Sequence, residues 1–131
     1  MINRKMSWKQ FEIGVKQIAS EIQAKNLLVK NIYGVPRGGL ILAVCLSHQL
    51  DKPLLLDPEY MTKNTLIVDD ISDSGKTLSN FINSEFNIYC KHENKKPDMT
   101  CTLFYYPKSI YKPTIWVFEK QPDDWIVFPW E

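Results

Sequence analysis

The strongest constraint on this chain is the segment LIVDDISDSGKTL, residues 66–78. Its head, Leu66 to Val68, continues from Thr65 as a mostly apolar run rich in β-branched residues and stops at once on Asp69 and Asp70, as a buried strand does at the rim of a core. Its tail, Ser72 to Thr77, is small and polar. It leads into a run in which Leu78, Phe81, Ile82, Phe86 and Tyr89 fall on one helical face. Strand, acidic turn and helix together make half of a parallel β/α unit. Open α/β sheets bind ligands at the carboxyl ends of their strands, so this turn is where a site is expected.

The same alternation runs along the rest of the chain. Ser7 and Gln10 have the spacing of a capping box, with Met6 and Phe11 at the staple positions. From there Trp8, Phe11, Val15, Ile18, Ala19 and Ile22 form one apolar stripe down to about Lys25. Asn31 to Val35 reads as a strand broken at Pro36, followed by the loop Pro36 to Gly39 and a helix from Leu40 to Leu50, apolar on most sides. Lys52 to Leu56 is a second short strand and Asp57 to Asn64 a polar loop. A lysine and asparagine cluster near Pro97 ends the third helix, and Thr100 to Tyr105 and Thr114 to Phe118 are two more strands. The order predicts an α/β fold with an open, mostly parallel β-sheet flanked by helices. The segment Pro122 to Glu131, rich in proline and tryptophan, shows no periodicity and reads as an irregular lid.

Composition narrows the class. With 131 residues, 44% hydrophobic and 24% charged, the chain suits one domain spanning 1–131 with a real core. Sixteen Lys and Arg against 15 Asp and Glu leave a net charge of +1, which argues against nucleic acid or an anionic membrane as partner. The longest apolar stretch, Leu40 to Leu46, is far below the roughly 20 residues that span a bilayer. MINRKMSWKQ has no apolar run behind its charges and so is not a secretory signal. Cys45, Cys90 and Cys101 are scattered without a C-x-x-C pair, so the expectation is reduced thiols in a cytoplasm, with Cys45 a small core residue.

The acidic turn carries chemistry of its own. Backbone N–H groups opening the helix, the Ser74 and Thr77 hydroxyls and the close approach allowed by Gly75 suit a phosphate monoester. Asp69 and Asp70 would repel that phosphate, but carboxylates accept hydrogen bonds from vicinal hydroxyls, so the segment reads as a clamp for ribose 5-phosphate. Gly75, Lys76 and Thr77 also spell the end of a nucleotide P-loop, yet that motif needs glycine at position 70, where the chain has Asp70. A plain helix cap through Asp73 or Ser74 explains one residue and leaves the rest of the run without a reason. A second loop, Gly34 to Gly39, again lies between strand and helix. Its Arg37, Gly38 and Gly39 suit a pyrophosphate, although Arg-Gly-Gly is also a common turn.

LIVDDISDSGKTL resembles the PRPP-binding signature of the type I phosphoribosyltransferases. That resemblance implies that Asp69 and Asp70 hold the ribose hydroxyls, and a metal only indirectly through those hydroxyls or water, while Asp73, Ser74, Gly75, Lys76 and Thr77 wrap the 5-phosphate. An acid at position 73 is similar to the 6-oxopurine members, where it faces N7 of the base and accepts its proton; the local alternative is an N-cap. GVPRGGL is similar to the pyrophosphate loop of the xanthine-guanine enzymes, in which the peptide corresponding to Pro36–Arg37 can be cis, and implies Arg37, Gly38 and Gly39 as pyrophosphate ligands. PDDWIVFPWE resembles their purine-binding end, a hood over residues 119–131 in which Trp125 stacks on the base, the backbone of Ile126 reads its edge and Glu131 meets metal or water. Read by pattern alone, the same tail covers apolar surface with its tryptophans.

The family's O6-reading lysine follows the fourth strand directly. Here Tyr105, Tyr106 and Pro107 intervene before Lys108, the lysine to which the resemblance assigns the role, with a surface lysine as the alternative. Asp57 to Asn64 is short for the family's closing loop. His48 and His92 lie outside both loops. The implied reaction is transfer of phosphoribose from PRPP to guanine, xanthine or hypoxanthine with Mg2+, giving pyrophosphate and a purine nucleoside monophosphate, in a homodimer or homotetramer. A non-catalytic relative that senses PRPP or a nucleotide is the rival reading.

Overall fold

The structure, a computed structural model, describes residues 1–85 and 96–131. Among the described residues thirteen elements follow one another, with β and α alternating through the middle of the chain. Strand β1 (Ile2–Lys5) precedes α1 (Trp8–Ala24), where the expected capping box is formed: Gln10 N–H donates to Ser7 Oγ at 3.1 Å and Ser7 N–H donates to Gln10 Oε1 at 2.9 Å. Met6 and Phe11 are both buried at the staple positions. Next come β2 (Asn31–Gly34), α2 (Leu40–Leu50), β3 (Leu54–Leu55), a 3₁₀ turn (Pro58–Tyr60), β4 (Thr65–Val68) and β5 (Ile71–Ser72). Helix α3 (Lys76–Asn80) widens into a π-helical turn (Phe81–Glu85), and β6 (Met99–Tyr105), β7 (Ile115–Glu119) and β8 (Asp124–Val127) complete the order.

The main sheet is wholly parallel, ordered β3-β2-β4-β6-β7, with β5 continuing β4 along the same edge of β6. All four residues of β4 and all seven of β6 are buried, because helices cover both faces of this sheet. One face receives α1 and α2 through Ile18, Ile32, Leu42, Leu46, Leu66 and Leu103, each wholly buried. The other receives α3 and its π turn through Tyr33, Ile67, Leu78 and Phe81. Burying such side chains stabilises the fold by roughly 1.5–3 kcal/mol each. Helix α2 is buried on one side only, since Leu42, Ala43 and Leu46 pack inward while Val44 is 41% exposed.

Two expectations are corrected. The tail is not wholly irregular: β8 pairs in parallel with β1, Ile2 opposite Asp124 and Lys5 opposite Val127. This ladder is held by backbone bonds rather than by burial, all four β1 residues being exposed, so no apolar pattern announces it. The third helix keeps its apolar face at Leu78 and Phe81 but is α-helical for only five residues. Phe86, Tyr89, Cys90, His92 and the lysine and asparagine cluster up to residue 95 lie outside the described residues. Cys45 is only partly buried, and Cys101 is wholly so. Among the described residues no helix is long and apolar enough to cross a membrane.

Candidate active site

The strand order reverses between β2 and β4, and the crevice outside their carboxyl ends is where a parallel sheet of this order binds ligands. Both loops singled out above leave the sheet there. They are laced together: Val35 N–H donates to the Val68 carbonyl at 2.8 Å, and Gly39 packs so closely on that carbonyl that a Cβ would collide with it. A Cβ on Gly38 would stand 2.5 Å from Asp70 Oδ2, so the loop lies directly against the acidic pair. The Pro36–Arg37 peptide is cis, and Arg37 is exposed between Pro36 and Gly38, which line the crevice. Gly39 does not fit its expected part. Its N–H donates to the Val35 carbonyl at 2.9 Å and is therefore not free for a pyrophosphate oxygen.

Asp69 and Asp70 keep β4 and β5 in one register against β6, with Asp69 N–H donating to the Cys101 carbonyl at 3.1 Å. Asp69 is 7% exposed and accepts from Asp70 N–H at 2.9 Å. Burial, reinforced by the charge of Asp70 next to it, pushes the Asp69 carboxyl up to about 8. Burial raises Asp70 as well. Both shifts disfavour negative charge on the pair, which therefore favours whatever donates hydrogen bonds or positive charge to it.

Beyond the pair the chain turns through Asp73, Ser74 and Gly75 into α3. Gly75 has φ +85°, the left-handed region, and a Cβ there would meet Ser109 Oγ and, at 2.6 Å, Tyr111 N. The turn is braced from that side, where Ile110 N–H donates to the Ser74 carbonyl at 3.0 Å and Ser72 Oγ donates to the Tyr111 carbonyl at 2.8 Å. Gly75→Ala should therefore lower stability by about 1–3 kcal/mol through the strained conformation alone, read from urea unfolding midpoints. An unchanged midpoint would mean that the turn relaxes freely. Thr77 lines the crevice and Ser74 does too, while Lys76 is exposed and its N–H reaches back to Ser74 Oγ at 3.3 Å.

Two cavities meet at this turn. The first, about 320 Å³, is lined by Val35, Gly38, Asp69, Asp70, Ser74 and Thr77 among others. The second, about 190 Å³, lies under the hood between Asp70, Asp73, Lys120, Trp125, Ile126 and Phe128. Asp73 lines both. Trp125 is 55% exposed at the mouth of the smaller cavity, and Glu131, also on its wall, accepts from Phe128 N–H at 2.9 Å.

The lysine of the smaller cavity is Lys120. Lys108 is exposed on a turn closed by Ser109 N–H to the Tyr106 carbonyl and is absent from the cavity wall. Lys120 Nζ stands 3.0 Å from Asp73 Oδ1 and 4.8 Å from the centroid of the Tyr106 ring, with only 8% of the residue exposed. Its place follows from topology: it is the first residue past β7, at the same carboxyl edge as both loops. That rule, applied to the strand Thr114 to Phe118 as it was to Thr65 to Val68, is the signal in the sequence that would have found it.

No family model matches the chain. Among solved structures, a purine phosphoribosyltransferase from Pyrococcus horikoshii Ot3 is 30% identical over 100% of this chain and 95% of its own, with a TM-score of 0.80. A xanthine-guanine-hypoxanthine phosphoribosyltransferase from Helicobacter pylori superposes at TM-score 0.78 and 19% identity, covering 98% of this chain and 92% of its own. An orotate phosphoribosyltransferase from Aeropyrum pernix superposes at 0.60 and 16%, over 86% and 72% of the two chains. The last two share the fold and nothing finer.

Proposed function

We propose, because this chain belongs to the type I phosphoribosyltransferase family, that it transfers the 5-phosphoribosyl group of PRPP to N9 of a 6-oxopurine, releasing pyrophosphate and a purine nucleoside monophosphate. One observation carries the choice of base: Asp73 lines both cavities and has the Lys120 ammonium 3.0 Å away. An acceptor and a cationic donor are thus paired side by side. A 6-oxopurine offers the complementary pair on one edge, N7–H and O6. Adenine would turn its amino group toward the ammonium, donor against donor, and lose the match.

In this reading the larger cavity takes PRPP. Ser74, Thr77 and the Gly75 N–H hold the 5-phosphate, and Asp69 and Asp70 accept hydrogen bonds from the ribose hydroxyls. Arg37 and the Gly38 N–H stabilise the charge that grows on pyrophosphate as its bond to C1 of the ribose breaks. The residues fit Mg2+, since Asp70 presents oxygen donors to the Gly38 side of the crevice while a full octahedral shell needs substrate oxygens and water as well. Asp69 and Asp70 would hold the ion through ribose hydroxyls or water, and it would neutralise charge on the leaving pyrophosphate. Trp125 stacks on the base under the hood, the Ile126 backbone meets its edge, and Asp73 accepts the N7 proton as N9 attacks. Lys120 takes the place expected of Lys108 at O6. The position directly after β6, where the resemblance puts the lysine, holds Tyr106, whose ring supports the Lys120 ammonium.

The test is pyrophosphate release from PRPP and Mg2+ with guanine, xanthine, hypoxanthine, adenine and orotate in turn. Release is expected with the three oxopurines and at least tenfold less with adenine. No release with any base removes the enzymatic reading and leaves a PRPP- or nucleotide-sensing protein of the same fold.

A further inference from the structure

Of the two residues that would read the base, Lys120 follows β7 and its N–H donates to the Tyr105 carbonyl at 2.9 Å, whereas Trp125 stands on β8, which the main sheet does not carry. Strand β8 pairs with β1 alone among the described strands. At one point a side chain crosses from β1 to β6, β7 and β8. Arg4 Nη1 donates to the Glu119 carbonyl at 3.2 Å and to Asp124 Oδ2 at 3.3 Å, and its guanidinium lies 5.2 Å from the centroid of the Phe104 ring. Glu119 immediately precedes Lys120, and Asp124 immediately precedes Trp125. Asp124 Oδ2 also accepts from Gln121 N–H at 3.1 Å, which closes the turn between the two base-reading residues.

We infer that Arg4 is a positioning residue for the base cavity: by tying the end of β7 to the start of β8 over the fixed ring of Phe104, it sets the spacing between Lys120 and Trp125. The inference rests on the reading of the hood cavity as the base site. The planar fork suits this task, because one terminal nitrogen reaches both partners while the guanidinium plane lies over an aromatic ring. Arg4 touches neither cavity, so its loss should act on the base alone and leave PRPP unaffected.

Full-length Arg4→Ala, Arg4→Lys and Asp124→Asn are compared with the unaltered protein in KM for guanine, in KM for PRPP and in amide hydrogen exchange. For Arg4→Ala the guanine KM should rise about tenfold with the PRPP KM within about twofold, as expected when a binding group is displaced without being removed. Exchange should quicken over 120–127 and stay unchanged over α1. Arg4→Lys, which keeps a charge beside Asp124, should recover part of the guanine affinity, and Asp124→Asn, which leaves β1 intact, should repeat the loss should Arg4→Ala not fold. An unchanged guanine KM, equal rises in both KM values, or faster exchange spread over the whole chain overturns the inference. Should the unaltered protein turn over no purine, the proposed reaction falls while the exchange measurement still decides Arg4: quickening confined to 120–127 upholds its positioning role, and any other pattern ends it.

Discussion

Asp73→Asn should cut turnover of a 6-oxopurine by roughly 100-fold or more while PRPP binding stays within about threefold. The substitution keeps the shape of the side chain and removes its capacity to accept a proton, so the loss falls on the chemical step. It has a second effect that the ion pair predicts. Lys120, 8% exposed, keeps its charge but loses the carboxylate 3.0 Å away, so the hood should also loosen and the melting temperature fall by a few degrees. Steady-state kinetics with guanine, calorimetric titration with PRPP and a thermal melt separate these effects. Unchanged turnover would take the proton from Asp73 and require another acceptor.

Lys120→Met should lower kcat/KM for guanine by about 10- to 100-fold, the worth of a hydrogen bond from a charged donor, 1.5–3 kcal/mol. Methionine keeps most of the stem's volume, so packing against Tyr106 survives and the change reports the ammonium. Discrimination between guanine and adenine should narrow by a similar factor, because the ammonium is what adenine's amino group meets. Lys108→Met is the companion measurement. Exposed and outside the cavity wall, Lys108 should leave kcat/KM within twofold. A large effect at Lys108 with none at Lys120 would restore the arrangement expected from the sequence and refute the assignment made from the structure.

Much of the fold was legible in the chain because burial writes a pattern. The stripe through Phe11, Val15, Ile18 and Ile22, the capping box at Ser7 and the largely apolar, wholly buried runs of β4 and β6 each record a face turned to the core. Strand β1 records nothing of the kind, since INRK is exposed throughout and is held by its backbone ladder and the Arg4 side chain, neither of which leaves an apolar pattern. The widening of α3 after Asn80 is equally silent, for Phe81 keeps its inward place whichever ladder carries it. The site divides in the same way. Asp69, Asp70 and Asp73 sit in one contiguous run whose spacing fixes their neighbourhood. Lys120 meets Asp73 across 47 positions, and Gly39 loses its N–H to a carbonyl of its own loop, facts that only the three-dimensional path supplies.

The pairing of β1 with β8 also has a kinetic meaning. Arg4 and Asp124 are 120 positions apart, nearly the whole sequence, and closing so long a loop brings no return until most intervening contacts exist. The crevice between β2 and β4 closes over a far shorter stretch. A chain emerging from the ribosome should therefore complete the crevice between β2 and β4 first and the hood around β8 last, with β1 waiting unpaired in between. Refolding followed at Trp125 should lag behind refolding followed in the central sheet.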